Sequence, residues 1–198
     1  MAISLFDKLQ AELSKSGIQA RTRESQQWFT NRVRGITRIN EVAFLKDPNL
    51  IRKPRFFPGF MYHFTYDPKT KETLPYYDTF PLILAVAPAP GGFYGLNLHY
   101  LKPLTRVLFL DKLMAIANKP EFDEKTRFRM NYSVVSAGRR FKEFAPCFKH
   151  YLTDNITSRL MLVPATEWEV AIFLPTEKFE GANKKKVWMD SKKKILQR

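Results

Sequence analysis

Apolar residues recur at helical spacing near both ends of the chain and alternate with polar ones in between. Leu5, Phe6, Leu9 and Leu13 share one helical face, with Ser4 where an N-cap belongs, Asp7 near the positive end of the dipole, and Gly17 placed to stop the helix. Trp28, Phe29, Val33 and Ile36 predict a second helix over about 23–38. Residues 47–58 contain three prolines and read as an extended loop. From Phe60 to Tyr66 the period changes to two, which predicts a strand, and Asp67–Thr70 follows as a turn. A second strand is predicted over Phe80–Ala87 and a third over Phe93–Tyr100, joined by Pro88-Ala89-Pro90-Gly91-Gly92. Gly95 marks a bulge or a close backbone approach. A helix follows over Leu104–Ala117, a further one over Arg127–Phe141, and a short one from Ala145-Pro146. Strand character returns at Arg159–Val163 and Trp168–Leu174, and a basic helix closes the chain over about Ala182–Gln197.

These elements predict an α+β protein: a small antiparallel SH3-like β-barrel of about five strands, with inserted and flanking helices. The expected organisation is a helical arm over 1–57, a barrel domain over 58–175 with a helical insertion at about 101–157, and a basic C-terminal helix over 176–198.

Composition narrows the class. Of 198 residues, 44% are hydrophobic and 17 are Phe, enough apolar area for a sizeable core. No uninterrupted apolar stretch approaches the ~18 residues of a membrane span. The N-terminus lacks the basic start and apolar run of a secretory leader. Cys147 stands alone, which argues against a disulfide framework and for a reducing compartment, or a particle assembled in one.

The formal net charge is +14. Residues 59–100 are nearly neutral, with 2 basic and 3 acidic side chains, whereas residues 1–58 carry 11 basic and 5 acidic ones. Residues 159–198 carry 9 and 5. Such a field favours a polyanionic neighbour, whether nucleic acid, an anionic membrane or an acidic protein.

Catalytic signals are weak. His63, His99 and His150 lack zinc-type spacing, although His63 and His99 stand where neighbouring strands would bring them together. Glu167 and Glu169 would share a face of the last predicted strand, where a solvated surface is the simpler reading than a magnesium site. Cys147 and His150 would share a helical face, where a buried thiol is the simpler reading than a nucleophile. No glycine-rich phosphate loop or nucleophile elbow is present, and no cofactor or catalytic residue is predicted.

The lysines are more informative. Lys184, Lys185, Lys186, Lys192, Lys193 and Lys194 form two triplets eight positions apart, ~12 Å along a helix axis. Val187, Trp188 and Ile195 give that helix an apolar side for docking. Lysine is a compact charge without base-reading geometry, so the patch predicts phosphate contact without sequence preference. Its bland alternative is a solvated end helix. Arg139, Arg140, Arg32, Arg34 and Arg38 are candidates to extend the surface. Tyr76-Tyr77-Asp78 is a candidate for base stacking, with core packing as the alternative.

The stretch Pro58 to Lys71, the runs Leu74-Pro75-Tyr76-Tyr77-Asp78 and Gly91 to Tyr100, and the ending Glu167 to Ala171, Leu174-Pro175 and Val187-Trp188 resemble a family of small virion proteins of T-even-like tailed phages, the DNA end protectors. The resemblance spans most of residues 58–196. It implies a late protein of the virion, assembled in the host cytoplasm, that sits on the terminus of packaged double-stranded DNA. It further implies shielding of that end from host exonuclease and a part in head completion or head–tail joining, beside portal, neck or tail proteins and no membrane. It implies no catalytic residues. A purely structural component of the neck, tail or baseplate, contacting acidic subunits, is the second reading.

Overall fold

Strict alternation of side chains builds a sheet that is covered on both faces. The computed structural model describes residues 5–19, 22–34, 51–53, 55–117, 142–164 and 167–197. Helices α1 (Leu5–Lys15) and α2 (Arg23–Arg34) come first, followed by strands β1 (Ile51–Lys53), β2 (Met61–His63), β3 (Tyr77–Asp78), β4 (Leu82–Ala89) and β5 (Gly92–Asn97). After them come α3 (Pro103–Ala117), β6 (Phe148–Leu152), β7 (Leu160–Val163), α4 (Trp168–Ala171), β8 (Phe179–Glu180) and α5 (Lys184–Leu196). Six strands form an antiparallel sheet in the order β1-β7-β2-β4-β5-β6, and β3 pairs with β8 in a separate ribbon.

Met61, Leu82, Leu84, Val86, Leu96, Met161 and Val163 point to one face. There they join Leu9 and Leu13 of α1, Val107, Phe109 and Leu110 of α3, Trp168 and Val170 of α4, and Val187 of α5. The intervening Tyr62, Ile83, Ala85, Phe93, Tyr151 and Leu160 form the other face. That second face is aromatic: Tyr151 meets Phe64 edge-on at 5.3 Å, and Phe56 stacks on Phe93 at 4.4 Å.

The architecture is mixed helix and sheet, as expected, but the sheet is open. β1 and β6 are its edges, and the described strands do not close into the expected SH3-like barrel. Strand count does not fix closure, which also requires matched tilt and stagger; here helices and aromatic rings cover the faces instead. Three local expectations also change. Residues 168–174 form α4 and a following turn rather than a strand. A short apolar run has the same pattern in a buried helix as in a buried strand, and Trp168, Val170, Ala171, Ile172, Phe173 and Leu174 are all buried. The proline-rich 47–58 segment contains β1, so the predicted N-terminal arm supplies an edge strand. Cys147 ends a 3-10 turn, Lys142–Cys147, and β6 begins directly after it, where no strand was predicted. The helix predicted over 127–141 lies outside the described residues. Among the described residues no helix is long and apolar enough to cross a membrane.

The expected irregularity at Gly95 appears on its partner: the β4–β5 register shifts between Ala85 and Ala87. Gly92 is the tighter position. A Cβ there would stand 1.9 Å from the Tyr151 carbonyl oxygen, whereas one at Gly95 would meet the end of the Ile83 side chain at 3.3 Å. Gly92→Ala should therefore force β6 away from β5 and cost about 3 kcal/mol, against about 1 kcal/mol for Gly95→Ala. Urea unfolding of the two variants checks this, and equal losses would contradict it.

Candidate nucleic-acid interface

The basic C-terminal helix is set in place by the residues before it. β8 runs beside β3, and Gly181 then turns the chain at φ 81° while passing close to the Pro75 carbonyl oxygen, which a Cβ would approach to 2.7 Å. Asn183 caps α5, its side-chain oxygen accepting from the Lys186 amide at 3.0 Å. Val187 and Ser191 are buried, and the Trp188 indole donates to the His99 carbonyl at 2.8 Å.

Beneath the helix lies a buried polar network. The Arg106 side chain, 0% exposed, donates to the carbonyls of Leu101 and Ile172 at 3.0 and 2.9 Å and pairs with Glu177 at 2.5 Å. The other Glu177 oxygen lies 3.7 Å from the Lys184 ammonium. Although burial of Glu177 opposes its ionisation, Arg106, then His99 and Lys184, hold its carboxyl down at about 2. Asp78 accepts from Asn97 at 3.0 Å and lies 2.7 Å from His99 Nδ1, and His99 Nε2 is 3.0 Å from the Thr176 hydroxyl. Acid, imidazole and hydroxyl follow the order of a hydrolase relay. Yet Asp78 and Thr176 are each 4% exposed and His99 is 0%, so no substrate reaches them. The network is structural.

Lys184, Lys185, Lys186, Lys192, Lys193 and Lys194 are all exposed on α5. Lys184 is shared with Glu177 and lies 5.8 Å from the Trp188 ring centroid, so it ties the helix down as well as adding charge. Arg32 is exposed, but its guanidinium grips both oxygens of Glu12 at 2.6 and 3.1 Å, which binds α2 to α1 and compensates its charge. Arg34 ends α2 with its side chain outside the described residues, and Arg38, Arg139 and Arg140 lie outside them altogether.

The weaker chemical candidates take ordinary places. Glu169 accepts from the Ser25 hydroxyl at 2.7 Å, joining α4 to α2, and it shares no strand face with Glu167. Burial pushes the Cys147 thiol up to about 12, and His150 stands on β6 within 3.0 Å of the Pro90 carbonyl oxygen, so the two do not share a helix. His63 and His99 do meet, with ring centroids 5.8 Å apart. His63 stacks on Phe80 at 4.7 Å, and burial lowers its pKa far below the usual range. Among the described residues no group of three or more His, Cys, Asp and Glu side chains is placed to hold a metal ion. Tyr76 packs toward Tyr100 and Phe179, and Asp78 is consumed by the network, so the tyrosine loop serves the core.

Sequence reasoning missed Lys149 and Arg106. The Lys149 ammonium lies 4.0 Å from the Tyr100 ring centroid, and burial, with Lys194 nearby, lowers its pKa to about 8. Nothing in the local pattern around Lys149 signals this. Arg106 did leave a signal: it occupies a position of α3 whose neighbours Val107 and Leu110 face the core.

The described residues thus define an α+β protein whose most cationic element is a surface helix locked to a polar core. Over residues 1–196 the chain matches the family described as Phage T4 terminal DNA protecting protein, and it belongs to that family. No curated protein and no solved structure matches it.

Glu177 links the helix to acid stability. Its carboxyl titrates at about 2 in the fold against 4.5 when unperturbed, so its contribution is complete above pH 4.5 and disappears as pH falls toward 2. Glu177→Gln should flatten the pH dependence of unfolding across that window. At neutral pH it should cost about 3 kcal/mol by leaving Arg106 buried without its counter-charge. Denaturant titrations at stepped pH measure both.

Proposed function

We propose that this protein acts without breaking bonds, as a cap on the end of packaged double-stranded DNA, with α5 lying against the sugar–phosphate backbone. The observation that carries this reading is the exposure of six lysines on one helix, four of which (Lys185, Lys186, Lys192 and Lys193) face away from the side docked through Val187, Trp188 and Ser191. Ammonium groups held on a rigid helix displace condensed counterions from the duplex, which supplies affinity without base reading. Membership of the terminal DNA protecting family supports the terminus as the target. Bound there, the protein shields the end from host exonuclease. It also remains available to portal, neck or tail proteins as the head is completed and the tail is joined.

Linear duplex incubated with the protein should resist a processive double-strand exonuclease, and binding should weaken steeply with salt. Replacing Lys185, Lys186, Lys192, Lys193 and Lys194 by Gln should abolish protection. It should also flatten the slope of log affinity against log salt by about 0.9 for each lysine that touches phosphate. A wild-type chain that fails to bind duplex at low salt would contradict the proposal and favour a purely structural component that meets acidic subunits.

A further inference from the structure

Two large apolar side chains stand on the solvent side of the lysine helix. Met189 is 55% exposed and Leu196 74% exposed. They are seven residues apart, so they lie within about 20° of one another around α5 and ~10.5 Å apart along it. Lys185 and Lys192 repeat the same interval on one side, and Lys186 and Lys193 repeat it on the other. Each lysine row falls roughly 40–60° from the apolar pair. Val187 and Ser191, which dock the helix, occupy the far side. The outward face of α5 is therefore an apolar stripe between two cationic rows.

Phosphate contact alone gives no reason for that stripe, since any polar helix former would serve at 189 and 196. A duplex offers a matching surface in one place. Along its length the base-pair faces are hidden by stacking and only their edges show in the grooves. At a terminus one base-pair face is uncovered, and the backbones of both strands flank it. Leu and Met side chains cover base faces in this way when they wedge into a bent duplex. We propose that Met189 and Leu196 cover the terminal base pair while the lysine rows hold the phosphates on either side. This rests on the DNA-capping reading and adds to it the feature that distinguishes an end from internal duplex.

The test compares a short blunt duplex with the same duplex closed at both ends by hairpin loops. The wild-type protein should prefer the open duplex by about tenfold. Met189→Gln combined with Leu196→Gln should bring the ratio to about one while leaving affinity for the sealed duplex within about twofold. Both positions are exposed, so the variant keeps its core; unchanged thermal unfolding verifies this. A preference that survives in the double variant, or equal wild-type affinity for both duplexes, would overturn the inference and leave backbone binding intact. Absence of binding to either duplex would overturn both. Flotation with phosphatidylserine vesicles supplies a further contrary result. Vesicle binding lost in the double variant while its end preference persists would assign the stripe to a lipid surface.

Discussion

A guanidinium with no access to water ties the sheet to the helix that carries the charge. Arg106 closes hydrogen bonds with Leu101, Ile172 and Glu177, and so joins the start of α3, the turn after β5 and the segment after α4. Removing such a cation from water is costly, and the cost is offset here by an acceptor at each of its three nitrogens. Glu177 completes the set and reaches the Lys184 ammonium with its second oxygen. One carboxylate thus compensates a buried charge and anchors a helix that carries five further lysines. The Trp188 indole, donating to the His99 carbonyl, fixes the same helix from a second direction.

If α5 is the DNA-binding surface proposed above, that anchoring bears on affinity as well as stability. A lysine-rich segment that had to fold on contact with DNA would lose ordering entropy at that moment. A capped helix docked on a packed core has already ordered its backbone, so only the lysine side chains are restrained on binding. Repulsion among the ammonium groups makes the unliganded surface electrostatically unfavourable, and bound phosphate would relieve it. Burial is the main reason the Lys149 ammonium titrates low, and Lys194 on α5 adds only a small further push. On the other side of the sheet, Phe56, Phe93 and Tyr151 stack in succession.

The helices and the central strands were legible in the sequence because their patterns are long enough to have a period. α1 and α2 repeat near 3.6, α3 is a long apolar run, and β4 and β5 follow turn residues that announce them. The elements that were not legible are short or carry an ambiguous pattern. β1 is three residues inside a proline-rich stretch, and β6 places Lys149 and His150 between aromatic residues without a clean alternation. Residues 168–174 are buried nearly throughout, which erases the difference between helix and strand. Closure of the sheet is decided by long-range pairing, β1 with β7 and β5 with β6, that no local pattern encodes. The lysine patch was visible because it is contiguous. Its support was not, because Asp78, His99, Arg106, Thr176 and Glu177 come from four separate stretches of chain. The Met189–Leu196 stripe is visible only once α5 has a buried side to define its outward one.

The central claim is that the lysine face of α5 lies on the backbone of a DNA end. The most direct measurement is a cryo-electron microscopy map of the protein bound to blunt-ended duplex. In that map the ammonium groups of Lys185, Lys186, Lys192 and Lys193 should lie within ~3 Å of phosphate oxygens of the terminal nucleotides. A complex held through another surface, with α5 facing open solvent, would contradict it.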